Sequence, residues 1–176
     1  MVDTQTILQF IPAASLSIAA IYYMLILRNQ NRTRQAQLFM QLFQHNMTKE
    51  WMKDWWELMQ MQWDDIEDFY EKYDSSVNVD NFAKRLRAWS FLDGVGLLLK
   101  KGLVDREMVY YLMGGYLGNW LWEKFGDVIK YQRELNNIPE LCVWFEYLAV
   151  ELMKMKEQQG LSIEIPESWG AIKLKE

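Results

Sequence analysis

Asp93 is the residue whose type and setting most suggest chemistry. It lies within a helical stripe formed by Phe82, Leu86, Trp89, Gly96 and Leu97. An ionised carboxylate on an apolar face is costly unless it is paired or hydrogen-bonded. One reading is a catalytic acid or ligand contact with a raised pKa, set with Arg133 and Glu146 around a pocket. The other is a structural ion pair with Arg106 or Arg133 from a neighbouring helix. The ion pair is the favoured reading, because ion-pair networks also produce such acids.

Other candidates are weaker. Met59-x-Met61 and Met153-x-Met155 look like soft copper ligands, but helical residues two apart point away from each other. Core filling is the ordinary use of these methionines. His45, the single histidine, has no Cys, Asp or Glu at ligand spacing and reads as a helix-capping or exposed residue. Cys142 is the single cysteine and reads as a small buried residue in an amphipathic helix. Gly94-x-Gly96 and Gly114-Gly115-x-x-Gly118 follow no strand and precede no Walker lysine, so they indicate helix packing rather than a phosphate loop. No catalytic, cofactor or metal set is assembled from these residues. Trp51, Trp55, Trp56 and Trp63 fall on one helix. Trp56 and Trp63 lie towards the edge of its stripe, where tryptophan suits an interaction surface.

The elements that must position these residues all read as helices. Residues 28–44 lack Gly and Pro, and Ala36, Phe39, Met40, Phe43 and Met47 share one side. Thr48 caps a second helix with Glu50 in its first turn. Trp51, Trp55, Leu58, Met59, Ile66, Phe69 and Tyr73 keep one register, which predicts a single helix over 49–73 with a kink near Asp64. A third helix starts after Asp80 and ends at Gly102 in the left-handed conformation, behind Lys100 and Lys101. Asp105 caps the next helix, with Glu107 in its first turn. Trp120, Leu121, Phe125 and Val128 carry a helix to Leu135. Pro139 is expected as the first residue of the last helix, whose stripe is Leu141, Phe145, Leu148, Leu152 and Met155, with Gly160 at its end. Ile163-Glu164-Ile165 alternates but is too short for a sheet.

Residues 4–27 contain no charge, and Arg28, Arg32 and Arg34 follow within seven residues. About 20 apolar residues in a helix cross a hydrocarbon core of about 30 Å. Ten Ile, Leu and Phe residues over 7–27 supply roughly −3 to −6 kcal/mol towards insertion. The segment lacks the basic start, short apolar run and small-residue cleavage site of a signal peptide. The arginines belong on the cytoplasmic side. The expected organisation is a short external N-terminus (1–6), a transmembrane helix (7–27), a cytoplasmic helical domain (28–160) and a C-terminal tail (161–176). The fold class is all-α: one N-terminal transmembrane helix continuing into a cytoplasmic multi-helix bundle.

Past Leu27 the chain holds 19 basic residues against 23 acidic ones, since Asp3 is the only one of the 24 acidic residues before that point. That balance argues against a nucleic-acid footprint. A lone cysteine excludes an intrachain disulfide and fits a reducing compartment. Aromatic residues make up 15% of the chain, enough apolar area for a core in a domain of this size.

The stretches Phe91-Leu92-Asp93-Gly94-Val95-Gly96, Lys101-Gly102-Leu103-Val104-Asp105, residues 120–133, and Phe145-Glu146-Tyr147-Leu148 carry a family likeness. With them the chain resembles a family of uncharacterised prokaryotic proteins that have one N-terminal membrane helix and a helical cytoplasmic domain of unknown function. The likeness covers nearly the whole chain in order, and the Gly-Leu-Val-Asp turn is its most specific part. It implies an anchored helical architecture and supplies no reaction, cofactor or catalytic residue.

The expected function is a non-enzymatic, membrane-anchored interaction or scaffold module. Its partners would be the lipid bilayer and a second protein, which is itself a membrane subunit in the alternative reading of an accessory subunit of a larger membrane enzyme complex. Ala13, Ala14, Ser15, Ser17, Ala19 and Ala20 are small residues of the kind that line helix contacts in lipid. The third reading is the small-molecule sensor or enzyme built around Asp93.

Overall fold

A computed structural model describes residues 4–113, 117–158 and 160, with side chains from Ser15 onward except those of residues 45 and 46. The described residues form seven helices and no strand. The expected readings of His45, Gly114-Gly115 and the tail over 161–176 lie outside the described side chains or residues.

The first helix, α1 (Thr4–Asn46), runs 43 residues without a break. At 1.5 Å per residue it is about 65 Å long. Phe39 near its far end is fully buried, and Met47 just beyond packs against the core. Gln35 Nε2 donates to the Gly102 carbonyl at 2.8 Å. These contacts join one end of α1 to the helical core, as the stripe of Phe39 and Met47 predicts. Among the described residues no helix is long and apolar enough to cross a membrane. The apolar run expected to span one includes residues 7–14, whose side chains lie outside the described set.

The stripe of α2 (Lys49–Gln60) is as expected: Trp51, Trp55, Leu58 and Met59 are buried. The Thr48 hydroxyl accepts from the Trp51 N–H at 3.1 Å, satisfying one of the unpaired donors of the first turn. The single helix predicted over 49–73 is corrected. It divides into α2 and α3 (Ile66–Tyr73), with residues 61–65 between them. Met61 turns to extended geometry, with ψ at 142°. Asp65 then restarts the helix by accepting from the Asp68 N–H at 2.9 Å, while the Asp68 carboxylate accepts from the Asp64 N–H at 2.9 Å. This reciprocal capping was hidden by a hydrophobic register that happens to continue across the break.

Helix α4 (Val79–Lys100) is capped by Asn78, whose side chain accepts from the Asn81 N–H at 3.0 Å. Its buried face is Arg85, Ala88, Trp89, Leu92, Val95 and Gly96. The expected stripe is therefore rotated: Leu86 and Leu97 face solvent. Apolar residues occur all round α4, so periodicity alone could not pick the inner face. The end is as predicted. Gly102 has φ +66°, and the Leu103 N–H closes onto the Leu98 carbonyl at 2.9 Å, a Schellman closure that only a left-handed residue permits easily.

Asp105 caps α5 (Arg106–Leu112) through the Met108 N–H at 3.0 Å. Helix α6 (Leu117–Leu135) buries Leu121, Phe125, Val128 and Ile129. The last helix, α7 (Val143–Gln158), begins four residues later than expected. Pro139 sits instead in a connection where Asn137 (φ 52°) and Cys142 (φ 55°) both take left-handed geometry. The Ile138 N–H bonds the Arg133 carbonyl at 2.9 Å, closing α6. Phe145, Leu148, Leu152 and Met155 are buried as the stripe predicts.

The core is built on α7. Its packing against α4 is the most extensive helix contact, and α6 covers another side. A Cβ added at Gly96 would stand 1.9 Å from the Trp144 carbonyl oxygen. At Gly118, on α6, it would meet Leu152 Cδ1 at 3.0 Å. Gly94 has nothing within 4 Å, so helix packing explains Gly96 and Gly118 but not Gly94.

This difference predicts opposite outcomes for two substitutions only two residues apart, on opposite sides of α4. Gly96→Ala forces α4 and α7 apart and should cost about 3 kcal/mol, at the upper end of overpacking penalties. Gly94→Ala should stabilise by up to about 1 kcal/mol, because alanine is the better helix former. Urea unfolding of both variants beside the parent measures the two effects.

Candidate functional site

At the start of α7 the Val143 N–H reaches back to the Glu140 carbonyl at 3.4 Å, and the next two N–H groups find their acceptor on another helix. Asp93 supplies the acceptor from α4: its Oδ1 accepts from the Trp144 N–H and from the Phe145 N–H, each at 2.9 Å. The expected ion pair of Asp93 with Arg106 or Arg133 is thus corrected. A carboxylate at a helix N-terminus gains both the free donors and the positive end of the dipole. This explains how a charge is tolerated here without an arginine.

The arginines take other partners. Arg133 reaches from α6 to Glu146 on α7, with Nη1 2.6 Å from Oε2. Its Nε donates to the Leu141 carbonyl at 2.7 Å, tying the connection over 136–142 to α6. Arg106 Nε lies 3.7 Å from Glu151 Oε2. Asp93, Arg133 and Glu146 do gather at one corner, as the sensor or enzyme reading requires, but backbone and mutual bonds take up Asp93, Glu146 and the Nε and Nη1 of Arg133, with Arg133 Nη2 buried and unbonded among the described residues. Cys142 is buried beside them, and burial, with the nearby Asp93 charge, pushes its thiol up to about 12. A thiol held protonated is a poor nucleophile and a poor ligand.

The two tryptophans proposed for an interface part company. Trp63 is only 3% exposed; it stacks on Phe125 at 5.4 Å and meets the edge of Phe69 at 5.1 Å. The break before α3 turns it inward. Trp56 is 48% exposed and keeps its place as a surface residue. Arg28, Arg32 and Arg34 are all exposed on α1. Met59 and Met61 are both buried, and the Met61 sulfur accepts from Asn81 Nδ2 at 3.1 Å. Among the described residues no group of three His, Cys, Asp or Glu side chains is placed to hold a metal ion.

Two buried cations are absent from the expected site. Arg85 is 1% exposed. Its Nε donates to Asn81 Oδ1 at 2.9 Å and its Nη2 to the Tyr73 carbonyl. The rings of Phe69, Trp89 and Phe82 lie 4.7, 5.5 and 5.7 Å from its Cζ. Desolvation brings its pKa down to about 10, still charged at neutral pH. Lys124, on α6, is 5% exposed, with its Nζ 5.1 Å from the Trp63 ring. Desolvation lowers it to about 8. Each follows the buried register of its helix: Arg85 precedes Trp89 by four and Leu92 by seven, and Lys124 follows Leu121 by three. That spacing was legible, but basic residues are assigned to solvent by default.

Two cavities are chemically informative. A groove of about 630 Å³ between α1 and α4 is lined by Leu38, Leu42, Phe91, Val95, Leu97 and Leu98, among others. Its polar neighbour Arg87 pairs with Asp54 at 3.3 Å. The groove suits apolar packing. A second cavity, of about 370 Å³, lies where α3, α4 and α6 meet the 136–142 connection, and Arg85 is in its wall.

Asp93→Ala should cost about 1–2 kcal/mol, the range for loss of a helix cap. Asp93→Asn keeps an acceptor oxygen and should cost less, the difference being the dipole and charge contribution. Chemical denaturation of both variants orders them. For Lys124 the folded pKa lies below the unfolded value, so the unfolded state binds more protons between about pH 8 and 10.5 and stability rises with pH across that window. Lys124→Met should unfold at higher temperature than the parent at pH 7 and lose that component of the pH dependence. Thermal unfolding from pH 7 to 10 tests both statements.

Residues 10–152 match the family described as a domain of unknown function (DUF4760). No curated protein and no solved structure matches the chain. The match spans most of the 176 residues, and the chain belongs to this DUF4760 family.

Proposed function

We propose that this protein is a single-pass, membrane-anchored helical module that holds a protein-binding domain at the cytoplasmic face of the cell membrane. The observation that carries the reading is the condition of α1 before its arginines. Leu16, Ile18, Ile21, Tyr22, Tyr23, Met24, Leu25 and Leu27 are each between 52% and 74% exposed. They point to several sides of the helix, and among the described residues no other helix covers them. An apolar helix left open on all sides is costly in water and stable in lipid. Arg28, Arg32 and Arg34 follow immediately, which favours the cytoplasmic side for the domain.

Scaffolding rather than catalysis is the better fit to the domain. Asp93, Arg133 and Glu146, the residues that most suggested chemistry, serve to join helices. Trp56 and the apolar groove beside Leu38 and Leu42 offer surface for a partner, and anchoring raises the effective concentration of the domain near membrane proteins. The accessory-subunit reading differs in one respect: there the apolar helix itself contacts another subunit.

Alkaline extraction of cell membranes is the first test. The full chain should stay with the membrane pellet, and a chain lacking residues 1–27 should be released. Extraction of the full chain would overturn the anchor. Replacing residues 1–27 by an unrelated single-span anchor separates the two assignments. A photo-crosslinker at Trp56 should capture the same partner in both chains if the helix only tethers. Loss of that partner on replacement would favour the accessory subunit.

A further inference from the structure

The buried guanidinium of Arg85 has more hydrogen-bonding capacity than the protein uses. Nε and Nη2 are spent on Asn81 and Tyr73, while Nη1 is buried without a hydrogen-bond partner. Among the described residues no carboxylate bonds the group. Asp74, which borders the same cavity as Arg85, accepts on its Oδ1 from the Ser76 N–H at 2.9 Å and the Ser76 hydroxyl at 2.7 Å. Aromatic faces supply part of the missing countercharge, but an unpaired cation in such a setting is expensive and is usually retained for a reason.

Arg85 lies in the wall of the cavity of about 370 Å³, near the lower end of the roughly 300–1,000 Å³ typical of small-molecule sites. The other walls are mixed in a way that narrows the ligand. Phe82, Leu86, Trp89, Leu135, Ile138 and Leu141 are apolar, and Gln132 and Asn136 provide amides. Asp74 and Ser75 also border the space, and the Asp74 carboxylate disfavours a dianion there. We propose that this cavity binds a small monoanionic carboxylate with an apolar body, its carboxylate accepting from Arg85 Nη1 and its body lying among the apolar walls.

Water reaches almost none of Arg85, so the ligand must displace part of the ring cover. Phe82, which is half-buried and stands over the guanidinium, is the side chain to move. The inference is independent of the membrane assignment. It adds a ligand to the domain whether or not α1 is an anchor. Because the cavity is bounded by α3, α4, α6 and the connection leading into α7, occupancy would bear on the packing of the whole core.

Hexanoate and its neutral isostere hexanamide are suitable probes, titrated into the purified full chain with thermal unfolding and calorimetry as readouts. At 10 mM hexanoate should raise the unfolding temperature by several degrees and hexanamide should not. Arg85→Met, which replaces an unpaired buried charge by an apolar chain, should fold and lose the hexanoate response. Ile138→Trp, at the half-exposed rim, should reduce the response by about tenfold in affinity with the guanidinium intact, and it decides the matter if Arg85→Met fails to fold. No response to hexanoate, an equal response to hexanamide, or a response unchanged in both variants would overturn the proposal.

Discussion

Two backbone N–H groups at the start of α7 share one oxygen of Asp93, and the packing around them follows from that meeting. At the start of α7 the Val143 N–H has the Glu140 carbonyl at 3.4 Å, and the next two donors are left for a residue from elsewhere in the chain. The acceptor comes from α4, one turn from Gly96. Only a residue without Cβ lets the α4 backbone approach the Trp144 carbonyl so closely. Asp93 and Gly96, three residues apart, therefore act as one device: the first captures the end of α7 and the second lets it come near enough to be captured. The wide α4–α7 contact, and the seating of α6 over α7 through Gly118 and Leu152, depend on it.

Around this junction charge is used to position rather than to react. Arg133 holds Glu146 and the Leu141 carbonyl, which keeps the left-handed turn at Cys142 in place beside the start of α7. Lys84 joins α4 to α2 through Glu57, and Arg87 does so through Asp54. Arg85 and Lys124 are different. They lie inside the aromatic layer with rings for neighbours instead of carboxylates. The apolar core carries the stability, the surface pairs add little to it, and these two cations are buried at a cost to that core.

Much of the fold was legible because capping is local. Thr48, Asp105 and Gly102 each act over a span of five residues or fewer, so their side-chain chemistry marks helix ends without knowledge of the rest. The stripes of α2 and α6 were equally readable, since each has one dominant apolar face, and in α7 the i, i+3, i+4 run from Phe145 to Met155 was enough. Legibility failed where two local signals overlapped. The apolar register from Trp51 to Tyr73 ran through the break at residues 61–65, and α4 has apolar residues on every side. The candidate site was less legible still: the sequence marked Asp93 as unusual but pointed to the wrong class of partner, and it passed over Arg85 and Lys124.

The sequence by itself determined that the chain is helical, where most helices begin and end, and that an uncharged run precedes three arginines. Those properties are set by neighbours within a turn or two. Only the tertiary structure decided that Asp93 caps a helix 51 residues away, that Trp63 is interior while Trp56 is not, and that an arginine sits within an aromatic cage. These depend on which face of each helix meets which neighbour. That choice rests on the fit of surfaces distant in sequence, where a single missing Cβ at Gly96 permits an approach that no pattern of residue types specifies.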